Sequence, residues 1–341
     1  MSIAKPEHSS KQKDMSLDVA LRPTKWGNFI GQDNIKKTLK VLIDAAKNRS
    51  EVLEHVLFYG PAGLGKTTLA YIIAKEMGAQ IKVTSGPAIE RAGDLASLLT
   101  NLEPHDILFI DETHRLNKLI EEILYPAMES RTLDIVIGKG PSARTIQLEL
   151  PPFTLVAATT RVALLSSPLR SRFSGGVFRL DFYTEENVEE ILRNSCCVLN
   201  IQAENPAISE IAKRSRFTPR VANRLLKRCR DVAEVSGEKI ITKDVAFKTL
   251  KLLSIDEEGL EAEDRKLLET LIVKFRGGPV GLNTLAASIS EESATIEEIY
   301  EPYLLQLGFI ERTPRGRIAT TRAFHHLGKN LPEEKQSTLL S

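Results

Sequence analysis

The feature that most constrains the fold of this chain is the glycine-rich segment GPAGLGKTT at residues 60–68. The apolar run at 55–59 before it predicts a buried strand, and the run at 69–75 after it predicts a helix packed on that strand. A glycine-rich turn between a strand and a helix points successive backbone N–H groups at a polyphosphate, and the helix N-terminus adds partial positive charge. The segment therefore predicts a phosphate-binding loop in an α/β domain.

Two side chains of this loop predict its chemistry. Lys66 is long enough to reach the β- and γ-phosphates of a nucleoside triphosphate and to take part in catalysis, and the Thr67 hydroxyl is a suitable Mg²⁺ ligand. The pattern G-x-x-x-x-G-K-T in this context is specific, so a coincidental glycine-rich turn is the weaker interpretation. We expect the nucleotide to contact Gly63, Leu64, Gly65, Lys66, Thr67 and Thr68.

A second apolar run, at residues 107–110, ends in the carboxylates Asp111 and Glu112. The carboxyl ends of parallel strands meet at one edge of a sheet, so these side chains are expected beside the phosphate loop. We assign Asp111 to the Mg²⁺ shell together with Thr67, and Glu112 to the orientation and deprotonation of the attacking water. His114 is expected behind the residues that contact the nucleotide. Both carboxylates could be only the polar end of a strand, but beside a phosphate loop the pair predicts hydrolysis as well as binding.

Length, charge and cysteine content limit the class of protein. A chain of 341 residues is expected to form two or three domains, and 46 basic against 45 acidic residues exclude a chain-wide positive surface. Three cysteines, Cys196, Cys197 and Cys229, lack metal-ligand spacing and are interpreted as reduced core residues. We recognise no signal peptide and no apolar run long enough to span a bilayer, which predicts a cytoplasmic protein without a membrane partner.

Apolar periodicity divides the chain into five predicted segments. Residues 1–18 form a polar, flexible tail, and residues 19–183 alternate helices with strands, as in a doubly wound parallel sheet. From residue 184 the strands stop, and helical patterns over 184–254 predict a small lid domain. Three helices and a hairpin over 255–330 predict a winged helix-turn-helix domain, and 331–341 form a second flexible tail. The strands of the sheet are expected at 55–59, 80–83, 107–110 and 153–158.

An insertion at residues 133–149 interrupts the α/β alternation. It predicts a β-hairpin with a turn at 138–142, because apolar residues alternate along both arms: Leu133, Ile135, Ile137, Ile146, Leu148 and Leu150. No neighbouring sheet obviously accounts for these apolar side chains. Burial within the domain and a protruding hairpin that binds a partner are equally open interpretations.

Two arginines outside the loop are candidates for contacts with the γ-phosphate. Arg172 follows the last predicted strand, and such a cation, supplied by a neighbouring subunit, would stabilise the charge that develops during phosphoryl transfer. Its alternative is an ordinary surface ion pair. Arg220 follows Pro219 in the first turn of a lid helix, which fixes the direction of its side chain. We interpret Arg220 as a sensor of the γ-phosphate, although the spacing by itself does not decide this.

The predicted turn of the winged helix, at residues 312–316, is basic. Arg312, Arg315 and Arg317 lie on it or beside it, and no acidic residue follows Glu311 there. Three arginines around one turn fit a DNA phosphate backbone or a minor groove. A solvated loop is the alternative, but in a chain of balanced charge this concentration indicates DNA binding.

The chain resembles the RuvB family of AAA+ ATPases, the motors of Holliday-junction branch migration, most closely at residues 84–87, 99–106, 123–129, 138–144 and 312–317. The similarity extends over residues 21–328. It implies an AAA+ fold with a lid and a C-terminal winged helix, ATP and Mg²⁺ as cofactors, and a homohexameric ring around double-stranded DNA. It also implies RuvA as a partner docked on the hairpin at 133–149, and RuvC as a partner in the resolving complex.

The resemblance also implies roles for single residues. Thr160 matches a sensor at the end of the third core strand, Arg172 matches the finger that acts in trans, and Arg220 matches the lid sensor. Arg312 and Arg317 match DNA contacts of the wing. Further contacts with the nucleotide are implied for Leu21, Arg22, Glu129, Ser130, Arg131 and Tyr183.

The chain departs from the family pattern near three predicted site residues. Thr113 replaces an isoleucine behind Glu112, residues 174–176 contain one extra residue after Arg172, and Phe217 replaces a glycine before Arg220. None of these changes removes a catalytic group.

Two other functions are compatible with parts of the sequence. A clamp-loader-like AAA+ ATPase would remodel a protein on DNA and would not need the hairpin to bind RuvA. A winged-helix regulator that uses ATP only as a ligand would not need Glu112. ATP-driven DNA translocation is the leading hypothesis, because it accounts for the loop, Glu112, the hairpin and the basic turn together.

Overall fold

The computed structural model describes residues 20–137 and 144–331, and it divides into two compact units, Met1–Tyr183 and Thr184–Ser341. The predicted N-terminal tail, almost all of the predicted C-terminal tail and the predicted hairpin turn at 138–142 lie outside the described residues. Among the described residues, no helix combines the length and apolar character needed to cross a membrane.

The first unit is built on a parallel sheet of five strands in the order β2-β3-β6-β1-β7, and a separate antiparallel pair, β4 and β5. The strands are β1 (Val56–Tyr59), β2 (Ile81–Ser85), β3 (Ile107–Asp111), β4 (Thr132–Ile137), β5 (Arg144–Glu149), β6 (Thr154–Thr159) and β7 (Gly176–Arg179). Four strands of the sheet match the predicted ones. The edge strand β7 was not predicted, because its four residues are only alternately half-buried and give little periodic signal.

Helices pack on this sheet, and the predicted doubly wound architecture is confirmed. The helices are α1 (Asp33–Arg49), α2 (Lys66–Met77), α3 (Ala92–Thr100), α4 (Lys118–Glu129) and α5 (Ser167–Ser171). The central strands β1, β3 and β6 are continuous apolar runs because their side chains are buried on both faces. Helix α4 begins where Asn117 accepts the backbone N–H of Ile120 at 3.0 Å, which satisfies one donor of the first turn.

The antiparallel pair of β4 and β5 is the predicted hairpin. Leu133 lies opposite Leu148 in its register; Leu133 is buried, and Leu148 packs against the same core. Ile146, further along β5, is 45% exposed. The base of the hairpin therefore belongs to the domain core, and the described part beyond it presents an apolar side chain to solvent.

The second unit begins with four helices, as predicted: α6 (Glu185–Leu199), α7 (Asn205–Lys213), α8 (Pro219–Val235) and α9 (Lys243–Leu252). Thr184 and Thr242 cap α6 and α9, each accepting a backbone N–H from three residues further on. The expectation that strands stop at residue 184 is wrong, because β8 (Gln202–Ala203) pairs with β9 (Ile240–Ile241) in parallel. Strands of two residues are too short to produce a recognisable alternation.

The remainder of the second unit is the predicted winged helix. Its elements are α10 (Ala262–Glu269), α11 (Leu282–Ile289), α12 (Ser293–Thr295), α13 (Glu301–Gln306), β10 (Ile310–Thr313), β11 (Gly316–Ala319) and α14 (Thr321–His326). A π-helical turn, Ile296–Tyr300, interrupts the third predicted helix just before Pro302. Strand β10 extends further than predicted, so that Arg312 lies in the strand, directly opposite Arg317, rather than in the turn.

Candidate nucleotide site and DNA-binding surface

The phosphate loop connects β1 to α2, and all three of its glycines, Gly60, Gly63 and Gly65, adopt backbone conformations that other residues avoid. Gly60 and Gly65 have φ angles of 138° and 99°. A Cβ atom at Gly60 would lie 2.5 Å from the carbonyl oxygen of Leu180, and one at Gly65 would lie 3.1 Å from the Phe29 ring. Glycine at both positions thus lets the loop close tightly on its surroundings, and α2 begins at Lys66, directly after it.

Lys66 and Tyr183 both contact carbonyl oxygens of the phosphate loop. The Lys66 ammonium group donates to the carbonyl oxygens of Gly60 and Pro61, at 2.7 and 2.8 Å, which holds it along the loop. The Tyr183 hydroxyl donates to the carbonyl oxygen of Leu64 at 3.1 Å. Burial raises the pKa of Tyr183, so this hydroxyl remains a protonated donor. The structure therefore brings both predicted residues to the loop.

The two predicted Mg²⁺ ligands lie next to each other. Oγ1 of Thr67, in the first turn of α2, is 3.4 Å from Oδ2 of Asp111, at the end of β3. A hydroxyl and a carboxylate oxygen are the ligands that a hard cation such as Mg²⁺ prefers, so these residues fit the ion. Strand β6 lies between β3 and β1 in the sheet, and Thr160 directly follows its last residue. The chain therefore leaves the sheet at Thr160, the predicted sensor, between the strand that ends in Asp111 and the strand that precedes the phosphate loop.

Glu112, the predicted general base, follows β3 in an unusual backbone conformation. Its φ angle is 48°, in the left-handed region that few residues other than glycine adopt. Its backbone N–H donates to Oδ1 of Asp111 at 2.9 Å, and its carboxylate accepts from Nη1 of Arg115 at 3.3 Å. The Glu112 side chain is 50% exposed, so a water molecule can reach its carboxylate.

Thr113, the departure behind the predicted base, is completely buried. Its hydroxyl lies 2.9 Å from the carbonyl oxygen of Ile110 and 3.2 Å from that of Ala158, and it can donate to either. The threonine therefore introduces no unpaired polar atom behind Glu112.

Leu21 and Arg22 lie at the beginning of the described part of the chain, before α1. The Arg22 guanidinium carbon is 5.7 Å from the centre of the Tyr71 ring, in a cation–π contact with α2. Arg22 is thereby held against the helix that follows the phosphate loop. The role implied for Leu21 rests on its position next to Arg22 in the chain.

Arg172, the predicted finger, is held by neighbours in its own unit. Its Nη2 donates to Oε2 of Glu129 at 3.2 Å, and its Nε lies 3.2 Å from Oε1 as an ion pair without hydrogen-bond alignment. Its Nη1 donates to the carbonyl oxygen of Pro168 at 2.7 Å, and the guanidinium carbon stands 4.4 Å from the centre of the Tyr125 ring. Glu129 is itself a predicted contact of the nucleotide, so the structure brings two predicted residues together.

Ser130 and Arg131 continue this edge of the unit. Ser130 ends helix α4 and is exposed, and Arg131 has a φ angle of 55° where the chain turns into β4. The backbone carbonyl of Arg131 accepts the N–H of Leu150 at 2.7 Å, which closes the base of the hairpin. The segment from Glu129 to Arg131 therefore joins the Arg172 contact to the hairpin.

Arg220 lies in the second unit, in the first turn of α8, directly after Pro219. Its side chain is exposed, and within residues 20–137 and 144–331 it makes no ion pair. The two residues before Thr218, Arg216 and Phe217, both have positive φ angles, of 57° and 53°. Phe217 therefore occupies a backbone conformation that suits glycine, the residue it replaces.

The three arginines of the wing differ in their surroundings. Arg312 and Arg317 both bind the carboxylate of Glu301, which is completely buried at the start of α13. Arg317 is 16% exposed at its side chain, whereas Arg312 is 46% exposed. Arg315 lies in the turn between β10 and β11, is exposed, and makes no ion pair within the described parts of the chain. Arg315 is thus the wing arginine whose charge is not already paired.

A phosphate loop after β1, a carboxylate pair at the end of β3 and a helical domain after the sheet define an AAA+ ATPase, here followed by a winged helix. Family models cover most of the chain: the "Holliday junction DNA helicase RuvB P-loop domain" matches residues 21–180, the "RuvB AAA lid domain" matches 183–256, and the "RuvB C-terminal winged helix domain" matches 257–328. The chain belongs to the RuvB family.

Relatives and solved structures agree with this assignment. The chain is 59% identical to the Holliday junction branch migration complex subunit RuvB of Dehalococcoides mccartyi (strain CBDB1), over 95% of this chain and 93% of that protein. It superposes on the Thermotoga maritima RuvB Holliday junction branch migration motor with a TM-score of 0.84 and 52% identity, over 92% of this chain and 100% of that one. A mutant of the same Thermotoga protein matches with a TM-score of 0.85 and 52% identity, over 92% of this chain and 99% of that one.

Two partners of the predicted site residues were missed by sequence reasoning. Glu301 lies 11 and 16 residues before the arginines it binds, and Glu129 lies 43 residues before Arg172. Neither spacing has a pattern that identifies the pair. Glu301 itself gave no usable signal, because Glu297 and Glu298 belong to the same predicted helix and the sequence does not distinguish the three carboxylates.

Proposed function

We propose that this chain is the ATP-hydrolysing motor subunit that drives branch migration of Holliday junctions in homologous recombination and DNA repair. The observation that carries the proposal is the adjacency of Thr67 and Asp111 beside a complete phosphate loop, followed by Glu112, in a chain that RuvB models match from residue 21 to 328. The same matches favour this function over a clamp loader or a regulator without catalysis. We place its three domains at residues 19–183, 184–254 and 255–330.

In this proposal each site residue has a defined task. The backbone N–H groups of the loop and Lys66 bind the phosphates of ATP, and Thr67 and Asp111 hold Mg²⁺. The ion supplies positive charge next to the β- and γ-phosphates when it is bound. Glu112 accepts the proton of the attacking water, which its half-exposed carboxylate can reach. Thr160 and Arg220 sense the γ-phosphate.

Assembly and partners are the finer part of the proposal. We place the working form in a homohexameric ring around double-stranded DNA, in which Arg172 and the segment from Glu129 to Arg131 contact the nucleotide of a neighbouring subunit. The ion pair between Arg172 and Glu129 supports this, since it places a predicted contact of the nucleotide beside the predicted finger. The hairpin at 133–149 would bind RuvA, to which exposed Ile146 offers apolar surface. RuvC would join the resolving complex.

Substitution of Glu112 tests the proposed hydrolysis. In Glu112→Gln the shape of the side chain is kept but its basicity is lost, so ATP should still bind while turnover falls by about 100-fold or more. Phosphate release with Mg²⁺ and duplex DNA measures turnover, and branch migration of a synthetic four-way junction with RuvA measures the motor. Glu122→Gln, at an exposed position of α4, is the matched control and should behave as the unmodified protein. Unchanged phosphate release by Glu112→Gln would contradict the proposal.

A further inference from the structure

The short turn after Glu112 is attached to the neighbouring strand by two successive side chains. The turn, Thr113–Arg115, follows β3, and the strand is β6. The Thr113 hydroxyl is within hydrogen-bond distance of the Ala158 carbonyl oxygen, at 3.2 Å. Nδ1 of His114 lies 2.9 Å from Oγ1 of Thr159. The turn that carries the proposed base is therefore attached to the last two residues of β6.

The contact between His114 and Thr159 is well suited to hold a fixed geometry. Thr159 is completely buried, and its hydroxyl accepts the backbone N–H of Arg161 at 3.0 Å. A hydroxyl has two lone pairs and one proton, so Thr159 can accept this N–H and still bind Nδ1 of His114, as donor or as acceptor according to which ring nitrogen carries the hydrogen. The hydroxyl thus joins His114 to the backbone that flanks Thr160 on both sides.

Glu112 requires such support because of its backbone conformation. A φ angle of 48° strains the backbone of a residue other than glycine, and it persists only where the surroundings hold it. On the other side of the turn, a Cβ atom at Gly86 would overlap the carbonyl oxygen of Glu112, so the backbone of Gly86 packs directly on it. The backbone of Glu112 is therefore held between Gly86 on one side and the two side-chain contacts with β6 on the other.

We propose that His114 is a positioning residue for ATP hydrolysis, which acts by binding Thr159. The link fixes the separation between Glu112 and Thr160, the proposed base and the proposed γ-phosphate sensor. It also gives a path by which a displacement of Thr160 reaches the base. The inference rests on the proposed function, since it concerns the geometry of the same hydrolytic site.

The test compares steady-state ATP hydrolysis by the full-length protein and two variants, His114→Ala and Thr159→Val, with Mg²⁺ and duplex DNA present. We expect kcat to fall about tenfold in each variant, as for the loss of one well-aligned hydrogen bond that orients the base. KM for ATP should stay within about twofold, because Thr159 contacts the phosphate loop through its backbone carbonyl, which accepts the N–H of Gly60 at 3.2 Å and is kept in both variants. The double variant should lose little more than a single variant, because both changes remove the same link.

Three further variants separate positioning from general stability. His114→Asn keeps a polar atom near the position of Nδ1, and Thr159→Ser keeps the hydroxyl, so both should recover most of the lost kcat. Thr154→Val is the matched control, since Thr154 is also a buried threonine of β6 whose hydroxyl donates to a backbone carbonyl, that of Leu53 at 2.6 Å. It lies at the opposite end of the strand and should lower Tm without lowering kcat.

Two results would overturn the inference. One is a kcat for His114→Ala within about twofold of the unmodified protein. The other is a loss in the double variant that equals the product of the two single losses, because independent effects multiply. An unmodified protein that hydrolyses no ATP would contradict the proposed function instead, so the two failures are distinguishable.

Discussion

In the basic cluster of the wing, one buried carboxylate pairs with two of the three arginines. Arg312 and Arg317 lie opposite each other on β10 and β11 and share the carboxylate of Glu301. One negative charge for two positive ones leaves a net positive wing, and the shared partner fixes the directions of both guanidinium groups. Arg315 in the turn has no such partner among the described residues, so it is the best probe of DNA contact alone.

Arg315→Gln should weaken DNA binding without changing stability. The loss of one phosphate contact is expected to lower affinity for all sequences and to reduce the slope of log K against log salt by about 0.9. Fluorescence anisotropy with two unrelated duplexes over a salt series measures both quantities, and thermal unfolding supplies the control. An unchanged salt slope would exclude Arg315 as a phosphate contact.

Arg317→Gln should act differently, because it removes a partner from a completely buried carboxylate. The free energy of unfolding is expected to fall by about 2 kcal/mol, as for the loss of a hydrogen bond to a charged group, because Arg312 still binds Glu301 and the buried charge is not left unpaired. Denaturant unfolding measures the loss. If Arg317→Gln lowered DNA affinity while stability stayed the same, Arg317 would be a DNA contact and its pairing with Glu301 would contribute little to folding.

At the scale of elements, the segment between α7 and α8 connects the lid to the winged helix within the second unit. Nη2 of Arg216 lies 3.3 Å from Oδ1 of the buried Asp264. The Phe217 ring packs on Tyr303 with centroids 6.0 Å apart. The phenylalanine in place of glycine therefore keeps a left-handed backbone and adds an aromatic contact with the winged helix. These contacts with the winged helix hold the backbone that precedes Arg220.

Asp264 predicts a pH dependence of stability. It accepts the backbone N–H of Glu261 at the start of α10, and burial raises its pKa from the usual 3.8 to about 6, against the opposing effect of Arg216. The folded state therefore holds the Asp264 proton more tightly than the unfolded state does. The protonated carboxyl contributes about 3 kcal/mol to the free energy of unfolding below pH ~4, and this contribution is lost as pH rises through ~6. Denaturant unfolding between pH 4 and 7 should show this loss relative to Asp264→Asn. Parallel curves for the two proteins would show that Asp264 is not the group responsible.

At the scale of the whole molecule, we propose that assembly of subunits completes the active site. Arg172 is paired with Glu129 in its own unit, and no other described residue carries the role of a finger in the proposal. Binding to a neighbour's γ-phosphate would replace one anionic partner of Arg172 by another. Such an exchange makes hydrolysis depend on the contact between subunits.

Mixed assemblies test this dependence. Neither Arg172→Ala nor Glu112→Gln should hydrolyse ATP appreciably alone. Their mixture should recover part of the activity, since an intact Arg172 can then face an intact Glu112 across a subunit boundary. Phosphate release from the mixture measures the recovery, and a mixture of Glu112→Gln with the Arg172→Ala/Glu112→Gln double variant is the inactive control. No recovery would count against catalysis in trans.

Sequence by itself determined the features that depend on neighbours in the chain. The phosphate loop is recognisable because strand, glycine turn and helix follow each other, and β1, β3 and β6 are recognisable because burial on both faces demands continuous apolar runs. The same periodicity predicted the lid helices and the hairpin. The edge strand β7 and the pair of β8 and β9 gave no comparable pattern, because they are short and only partly buried.

Only the tertiary structure decided which side chains meet. Glu301 with Arg317, Glu129 with Arg172 and His114 with Thr159 are separated by 16, 43 and 45 residues, and each pair forms because packing brings two elements together. A charge or a hydroxyl in the sequence states what a residue can bind, but not which partner lies within about 3 Å of it. The sequence therefore determined the chemistry available at the site, and packing of the elements decided how that chemistry is held in place.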